Sequence, residues 1–341
     1  MKIMVTGGAG YVGGTVSALL VERGHQVVVV DNLCHARRET VPTGVEFVEA
    51  DVSDRACIEG LFRAAASENV PFDGVLHFAA LIEAGESMKH PEVYFRNNTA
   101  STLALLESIL AAGPKRFVFS STAAVYGEPE IVPIPETAAL RPTNAYGESK
   151  LLVEHMLGWF HRIHGLRSAS LRYFNVAGAP EVGGKGSGNI DSGEAHEPES
   201  HLIPLVLDVA LGRRPNIKIF GDDYPTHDGT CVRDYIHVGD LADAHLLALE
   251  ALESDQAAEN RLIYNLGNGA GFTVKEVIDS VRRVTGHPIP VELRPRRPGD
   301  PAFLIASSEK AIAELGWKPR YTQIDEIIRT AWIWHQKRHG K

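Results

Sequence analysis

The chain has 341 residues, of which 44% are hydrophobic and 23% charged, enough to bury the core of one large domain or two lobes. Its formal net charge of −9 and the lack of a basic run exclude the electropositive surface of a nucleic-acid-binding protein. No apolar run approaches the ~20 residues of a membrane span and no secretory leader precedes the first strand, so we expect a cytoplasmic protein without a membrane partner.

The first 31 residues are typical of a dinucleotide-binding unit. An apolar run over 2–5 precedes the segment TGGAGYVG at 6–13, a helical stretch over 14–23 and a second apolar run over 27–30 that ends at Asp31. Strand, glycine-rich turn, helix, strand and acidic residue follow one another in this order in proteins that bind NAD-type cofactors. An ordinary βα turn is the alternative, which the acidic residue after the second strand disfavours.

The glycines and the acidic residue predict how the cofactor is held. Gly7 permits the tight turn, Gly10 lets the backbone approach a pyrophosphate at a helix N-terminus, and Gly13 allows close packing of helix on strand. Asp31 can accept hydrogen bonds from a ribose 2′-hydroxyl and repels a 2′-phosphate, which favours NAD over NADP. The arginines at 37–38 lie nearby in sequence, and we interpret them as part of a solvated loop.

A parallel sheet covered by helices on both faces is predicted for the first half of the chain. Short apolar runs alternate with helical stretches, which is typical of a Rossmann-type doubly wound α/β fold. On the helix predicted over 91–110, Leu103, Leu106 and Leu110 have the spacing of core residues. Further strands are predicted at 45–48, 74–78, 117–120 and 167–175, and further helices at 56–66 and from about 146 to 164.

The second half of the chain predicts a smaller C-terminal α/β lobe. Residues 178–198 are rich in Gly, Glu and Pro, which indicates a surface loop where the chain leaves the first domain. We predict a Rossmann domain over 1–176, to which segments near 232–245 and 262–268 return, and a second lobe over 177–341. In this second half of the chain, helices are predicted at 201–211, 242–252, 273–284, 308–315 and 324–335. Strands are predicted there at 217–220, 234–238, 263–266 and 291–293, and the strand at 263–266 is expected to return to the first sheet.

Tyr146 and Lys150 are the strongest candidates for chemistry. Residues four apart on a helix lie on one face, one turn from each other. An ammonium roughly 5 Å from a phenol, at an effective dielectric of ~20, lowers the phenol pKa by about two units from its usual value of about 10. We therefore expect Lys150 to bring Tyr146 towards the strength of a general base. An exposed aromatic–lysine pair is the alternative.

The helix that follows Lys150 carries more apolar residues than one buried face requires: Leu152, Met156, Trp159, Phe160 and Ile163. We interpret them as partly core and partly the surface of a homodimer built from a helix bundle. Packing entirely within one chain is the alternative.

The cysteines and histidines predict neither disulfides nor a metal site. Cys34, Cys57 and Cys231 are scattered and odd in number, as expected for free thiols in a reducing compartment. The pairs 161/164 and 335/339 are histidines at helical spacing, and no Cys or carboxylate is grouped with either pair in sequence. We therefore predict no metal.

Taken together, the motifs resemble those of the extended short-chain dehydrogenase/reductase superfamily, and within it the UDP-glucose (UDP-galactose) 4-epimerases. The resemblance covers nearly the whole chain. TGGAGYVG (6–13) and YGESK (146–150) are general to the superfamily, whereas FGDDYPTHDGTCVRDYIHVGDLADAH (220–245) is the most specific segment. The other matching segments are DNL (31–33), HFAAL (77–81), RNN (96–98), FSSTAAVYGE (119–128), NAYGESK (144–150), LRYFNVAGA (171–179), YNLGNG (264–269) and RPGD (297–300).

The resemblance implies an NAD-dependent interconversion of UDP-glucose and UDP-galactose through transient oxidation at carbon 4 of the sugar. It implies that Tyr146 is the general base and acid, that Lys150 is its partner, and that Thr122 bonds to the 4-oxygen. The residues implied to contact NAD are Gly7, Gly10, Tyr11, Val12, Gly13, Asp31, Asn32, Asp51, Val52, Phe78, Ala79, Ala80, Asn98, Tyr146, Lys150 and Tyr173. Those implied to contact the UDP-sugar are Thr122, Phe174, Asn175, His201, Leu202, Phe220, Arg233, Arg297, Asp300 and Leu304.

The chain departs from this pattern at three positions. Ile82 lies where some relatives have a Lys near the cofactor phosphates, and His201 replaces the Asn of several relatives. Leu304 lies at a position whose bulk is thought to control acceptance of N-acetylated sugars, so such sugars remain possible substrates.

Two other classes of protein share this scaffold. A 4,6-dehydratase typically has Asp-Glu after the active-site Thr and a uronate decarboxylase usually has a Glu nearby, but Thr122 is followed by two alanines. Epimerases of UDP-N-acetylglucosamine, UDP-pentoses or UDP-uronates remain open. A non-catalytic NAD-binding regulator is disfavoured, because Thr122, Tyr146 and Lys150 are all retained.

Overall fold

The computed structural model of the chain describes residues 1–180, 193–194, 196, 199–253, 261–297 and 300–340. The strands are β1 (Lys2–Thr6), β2 (Gln26–Asp31), β3 (Glu46–Glu49), β4 (Gly74–His77), β5 (Arg116–Thr122), β6 (Arg167–Tyr173), β7 (Asn175–Ala177), β8 (Ile217–Phe220), β9 (Val232–Arg233), β10 (Tyr235–His237), β11 (Arg261–Leu266), β12 (Phe272–Thr273), β13 (Val291–Arg294) and β14 (Phe303–Leu304). The α-helices are α1 (Tyr11–Glu22), α2 (Arg55–Ser67), α3 (Ala84–Ser87), α4 (Pro91–Tyr94), α5 (Ser101–Ala112), α6 (Ala145–His164), α7 (Leu202–Ala210), α8 (Val238–Ala251), α9 (Val274–Thr285), α10 (Glu309–Leu315) and α11 (Ile324–His339).

Within these residues, seven parallel strands form a central sheet in the order β11-β6-β5-β4-β1-β2-β3. The strands are nearly continuous apolar runs because both faces are buried. Ile3 and Val5 pack with α1 and α8 on one face, and Met4 packs with α2, α5 and α6 on the other. This alternation follows the two-residue period of a strand, and the predicted doubly wound α/β fold is confirmed.

The registers align the carboxyl ends of the strands along one edge of the sheet. Thr6 of β1 is opposite His77 of β4, and Tyr173 of β6 is opposite both Thr122 of β5 and Leu266 of β11. Ligands of open parallel sheets bind outside this edge. The fold therefore places the expected cofactor and catalytic residues on the same side of the molecule.

A second cluster of buried apolar residues lies outside the sheet. Helices α7, α9 and α11 pack together and enclose Ile217 and Ile219 of β8, which pairs with β13. Strands β12, β9 and β14 form a small sheet, and β7 pairs with β10. The strand predicted over 167–175 is thus divided at Phe174 into β6 and β7, which belong to different sheets.

The helix predicted over 91–110 differs from the structure in two respects. It is divided into α4, a π-helical segment at Phe95–Ala100 and α5. The core prediction is correct for Leu106 but wrong for Leu103 and Leu110, whose side chains are 39% and 41% exposed. Leu105, Leu106 and Ile109 form the buried face of α5, which turns Leu103 and Leu110 outwards. No described helix has the length and apolar character needed to cross a bilayer.

Candidate active site

A cleft of about 340 Å³ lies along the carboxyl edge of the central sheet. It is lined by most of the residues expected to contact cofactor and by part of the expected substrate set: Gly7, Gly10, Tyr11, Val12, Gly13, Asp31, Asn32, Asp51, Val52, Phe78, Ala79, Ala80, Thr122, Tyr146, Lys150, Tyr173, Phe174, Asn175 and His201. Asn98, Leu202, Phe220, Arg233, Arg297, Asp300 and Leu304 are not among its lining residues.

The glycine-rich turn at one end of the cleft has no room for side chains. Gly7 has a φ of +72°, and a Cβ there would lie 2.5 Å from the backbone nitrogen of Ala79. A Cβ on Gly13 would lie 2.3 Å from the Gly7 carbonyl oxygen, whereas a Cβ on Gly10 would meet only that oxygen, at 3.3 Å. The N-terminus of α1 follows directly at Tyr11. Bare backbone beside a helix start fits the pyrophosphate of a dinucleotide.

Asp31 ends β2 and is fixed by the backbone around it. Its carboxylate accepts hydrogen bonds from the backbone N–H of Ala9 at 3.1 Å and of Leu33 at 2.9 Å. The next residue, Asn32, donates to the Asp51 carboxylate at 2.9 Å. A carboxylate oriented in this way retains acceptor capacity towards the cleft, which fits the two hydroxyls of a ribose.

Tyr146, Thr122 and Lys150 come together where β5 ends and α6 begins. Asn144 caps α6 by accepting a hydrogen bond from the Gly147 backbone N–H at 2.8 Å. The Tyr146 phenol lies close to the Thr122 side chain, and both residues line the cleft. The Lys150 ammonium donates to the Ser120 carbonyl oxygen at 2.9 Å. A proton-transferring phenol, a hydroxyl and a buried ammonium therefore share one end of the cleft.

The electrostatics of this group differ from the sequence-based expectation. Burial raises the pKa of Tyr146, the nearby Thr122 hydroxyl opposes the rise, and the charge of Glu83 adds to it. Burial also lowers the pKa of Lys150 to about 7. The expected lowering of the Tyr146 pKa by Lys150 is therefore wrong for the chain by itself, because burial has the largest effect on the phenol and favours its protonated form.

His201 also lines the cleft, immediately before α7. Burial favours its neutral imidazole, but a 2.8 Å hydrogen bond to the Glu199 carboxylate and the charge of Glu194 raise the His201 pKa to about 9. Asn175 also lines the cleft, and its amide donates to the backbone carbonyl of Asp234 at 2.9 Å. The cleft thus combines a cationic and a neutral polar side chain on its substrate side.

The other expected substrate residues lie on segments outside the central sheet. Arg233 forms an ion pair with Asp300 and lies opposite Leu304 in the pairing of β9 with β14. The Arg297 guanidinium lies 4.1 Å from the centroid of the Phe220 ring. Leu202 begins α7, directly after His201. Residues 298–299 of the RPGD motif and most of the loop predicted over 178–198 lie outside the described residues.

Asn98 occupies a different position from the one expected. It lies in the π-helical segment, is 2% exposed, and bonds to the backbone N–H and carbonyl of Leu81 and to the Ser149 hydroxyl. Its neighbour Asn97 lines the cleft instead. A π-turn shifts the face that a helical residue presents, and the sequence carried no signal for that turn.

Gly147 is a residue that the sequence analysis did not assign. A Cβ on Gly147 would lie 2.6 Å from the Ala124 carbonyl oxygen, in the 3₁₀ turn at Ala123–Tyr126 that follows β5. The missing side chain lets α6 approach the end of β5. Its position between Tyr146 and Lys150 in the sequence was the only available indication.

Two of the histidines lie beside a carboxylate from another helix. Asp208 of α7 lies close to His335 and His339, with its Oδ1 3.0 Å from His335 Nε2. Arg213 donates to the same oxygen at 2.8 Å, so this carboxylate already has a cationic partner. We assign no metal to this cluster.

Comparison with known proteins agrees with this geometry. The sequence model of the NAD dependent epimerase/dehydratase family matches residues 3–267. The chain is 53% identical over 334 residues to a UDP-glucose 4-epimerase of Streptomyces lividans, covering 98% of this chain and 96% of that protein.

Two solved structures are similar over nearly their full length. A crystal structure of UDP-glucose 4-epimerase has a TM-score of 0.91 at 48% identity and covers 100% of this chain and 99% of its own. The UDP-glucose-4-epimerase of Stenotrophomonas maltophila, with bound NAD and formylated UDP-arabinopyranose, has a TM-score of 0.90 at 41% identity and covers 99% and 98%. The resemblance inferred from the motifs is confirmed. The chain belongs to the NAD dependent epimerase/dehydratase family.

Proposed function

We propose that the chain interconverts UDP-glucose and UDP-galactose by oxidising and re-reducing carbon 4 of the sugar with NAD. The observation that carries this proposal is the convergence of Tyr146, Thr122 and Lys150 at the end of a cleft that fits a dinucleotide. Full-length similarity to UDP-glucose 4-epimerases supports the same reaction.

In this reaction Tyr146 exchanges a proton with the sugar 4-hydroxyl, and Thr122 holds the oxygen in place. Bound NAD would supply the two-electron oxidation and reduction at carbon 4 and, in its oxidised form, a positive charge near the phenol. The elevated pKa of Tyr146 keeps the phenol protonated for the return step. For the first step the phenol needs nearby positive charge, to which oxidised NAD and the protonated form of Lys150, one helical turn away, would both contribute.

The two halves of the chain divide the work. Residues 1–176, with segments near 232–245 and 262–268, bind NAD, and residues 177–341 mainly bind the UDP-sugar. Arg233 and Arg297 bind the diphosphate, since a guanidinium matches two phosphate oxygens. Binding energy placed on the nucleotide leaves the sugar free to present either face to the cofactor.

A panel of UDP-sugars tests the proposal. Purified protein without added NAD is incubated with UDP-glucose, UDP-galactose, their N-acetylated forms, a UDP-pentose and a UDP-uronate, and the products are separated by chromatography. We expect conversion of UDP-glucose and UDP-galactose. Conversion of only another pair would assign the chain to that related 4-epimerase, and no conversion of any sugar would refute epimerase activity.

The Tyr146→Phe variant tests the catalytic assignment. We expect turnover to fall by about 10²–10⁴-fold, the usual contribution of a general acid–base group, while UDP binding stays nearly unchanged. Tyr264→Phe is the matched control, because its hydroxyl bonds to Glu314 and does not line the cleft. Equal losses of UDP binding and turnover in Tyr146→Phe would show that the assigned role is wrong.

We also propose a homodimer formed by α5 and α6. The two helices pack against each other, and Leu103, Leu110, Trp159 and Ile163 are between 39% and 68% exposed on them. A two-fold interface would bury this face against its copy. In light scattering, Ile163→Lys should convert a dimer to a monomer, whereas Ile333→Lys, an exposed position on α11, should not. A monomeric wild-type protein would refute this interface.

A cytoplasmic location is proposed from the thiols. Cys34, Cys57 and Cys231 are all free. Free cysteines are characteristic of reducing compartments. Fractionation of cells that produce the tagged protein tests this, and recovery outside the cytoplasmic fraction would contradict it.

A further inference from the structure

The end of β5 contacts α6 at residues four positions apart on the helix. The Lys150 ammonium donates to the Ser120 carbonyl oxygen at 2.9 Å, and the Tyr146 phenol lies close to the Thr122 side chain. Residues four apart lie on one face of a helix, so both contacts are made by the face that looks onto the sheet. Both involve groups that take part in the proposed reaction.

A third contact continues this series and involves no proposed catalytic group. Ser121 lies between the two β5 residues already named, and its hydroxyl donates to Glu154 Oε1 at 2.6 Å. Glu154 is one further turn along α6 from Lys150. Its carboxylate also receives two hydrogen bonds from Arg172, from Nε at 2.9 Å and from Nη2 at 2.6 Å. The side chains of Glu154 and Arg172 are 0% and 1% exposed.

Arg172 is itself held by the sheet. It lies opposite Ser121 in the pairing of β5 with β6. Its Nη1 donates to the Tyr126 hydroxyl at 2.9 Å, and that hydroxyl donates to Asn265 of β11 at 2.7 Å. The Glu154–Arg172 pair therefore connects α6 to β5 through Ser121, to β6 through Arg172 itself and to β11 through the Tyr126 hydroxyl.

Energetics indicate that this arrangement serves geometry more than stability. Replacing a buried ion pair by apolar side chains of similar volume is often neutral or stabilising, whereas removing one partner costs about 3–5 kcal/mol. A helix packed on a sheet by apolar contacts alone can slide and rotate, since such contacts are not directional. Three oriented hydrogen bonds to the Glu154 carboxylate, one from Ser121 and two from Arg172, remove that freedom.

We propose that Glu154, held by Arg172 and Ser121, is a positioning residue that fixes α6 relative to β5 and thereby brings Tyr146 and Thr122 together. The inference rests on the proposed function, because it is tested by measuring the turnover of a UDP-sugar. Misplacement of a reacting group by about 1 Å can cost a factor of 10² in rate. Neither Glu154 nor Arg172 lines the cleft, so their effect on turnover is indirect.

The decisive variant is the double substitution Glu154→Leu/Arg172→Met, which removes the ion pair and leaves no unpaired charge. We expect kcat to fall by about 10- to 100-fold, while KM for the UDP-sugar and the melting temperature stay close to wild type. Arg116→Met is the matched control. Arg116 lies at the opposite end of β5, where it pairs with Asp73. Its loss should leave kcat unchanged.

The pH dependence of kcat separates positioning from a purely structural role. The nearby Thr122 hydroxyl lowers the pKa of Tyr146, so a displaced α6 should move the acidic limb of the profile to higher pH. The charged and titratable groups around the Tyr146 phenol are Lys150, Glu83, Tyr94 and Tyr173, and none of them is altered in the double variant. A merely destabilised fold would lower the active fraction without moving this limb.

Each outcome is informative. A well-folded double variant with kcat within about twofold of wild type, and with an unmoved acidic limb, would overturn the inference. If the double variant does not fold, Ser121→Ala decides: a kcat below half of wild type supports positioning, and a kcat of at least half overturns it. A wild-type protein without turnover would refute the proposed function itself and is thereby distinguished from a failure of this inference.

Discussion

Arg233 of β9 and Asp300, 67 residues later in the chain, form an ion pair. The guanidinium also donates to the Val232 carbonyl oxygen at 2.7 Å, so two of its N–H groups are fixed by the protein. The side chains of both residues are largely buried. A guanidinium held in one orientation loses little entropy when it binds a diphosphate.

Asp300→Asn should therefore weaken nucleotide binding through Arg233. We expect the Kd for UDP to rise by about tenfold, which corresponds to about 1.4 kcal/mol, with kcat almost unchanged. Titration calorimetry with UDP measures the first quantity. Asp325→Asn is the control. Asp325 of α11 forms an exposed ion pair with Arg283 of α9, and neither residue lines the cleft. A fall in kcat at constant Kd would contradict this role.

Lys150→Met should stabilise the fold while it abolishes turnover. The pKa of Lys150 is about 7 in the folded chain against an ordinary 10.5, so the unfolded chain binds this proton more tightly. The resulting penalty on folding is full below pH 7 and disappears as the pH rises towards 10.5. After about 1 kcal/mol is deducted for the lost bond to Ser120, the variant should gain about 3 kcal/mol at pH 7.

Urea unfolding of the cofactor-stripped protein checks this prediction at pH 7 and pH 9.5. The stability difference between variant and wild type should shrink at the higher pH. A difference that is independent of pH, or a less stable variant at pH 7, would show that Lys150 is not held in a desolvated state.

Gly147→Ala should impair catalysis without loss of nucleotide binding. The added methyl would lie 2.6 Å from the Ala124 carbonyl oxygen, so the first turn of α6 must move away from the end of β5. We expect kcat to fall by at least about tenfold, because Tyr146 lies in that turn. Steady-state kinetics with UDP-galactose, alongside UDP binding, provide the measurement.

Gly60→Ala is the matched control for this substitution. Gly60 is an exposed residue of α2, and a Cβ there has no described heavy atom within 4 Å. The change should raise stability by about 1 kcal/mol through helix propensity and leave kcat unchanged. Equal effects of the two substitutions on kcat would refute a specific role for the space at Gly147.

Asp31→Asn should reduce discrimination between NAD and NADP. The variant keeps only one of the two oxygens that accept the Ala9 and Leu33 N–H groups, and it loses the charge that repels a 2′-phosphate. We expect the ratio of the two dissociation constants to fall by about tenfold. Fluorescence titration of stripped protein with each cofactor measures it. An unchanged ratio would place the discriminating group elsewhere in the cleft.

Local sequence patterns were sufficient for the sheet and the glycine-rich turn. The runs at 2–5 and 27–30 are apolar at consecutive positions because β1 and β2 are buried on both faces. Their burial could therefore be predicted from the residue types alone. The spacing of Gly7, Gly10 and Gly13 likewise reflects contacts made within a few residues.

Contacts that depend on register were not predictable. Glu154 and Arg172 look like ordinary surface residues in the sequence. They meet because α6, which carries Glu154, packs on β5 and β6 beside Arg172. Leu103 has a core spacing on an ideal helix, but the π-helical segment before it and the packing of α5 turn it outwards. The direction of the Tyr146 pKa shift also required burial to be known.

Strand β11 pairs with β6 at the edge of the central sheet, after the chain has passed through α7 and β8 to β10. A fragment that stopped at residue 176 would leave β6 as an open edge and uncover the side of α1 on which α8 packs. Residues 1–176 therefore cannot be excised or grafted as an independent unit. A chimaera with a relative must exchange this segment together with α8 and β11.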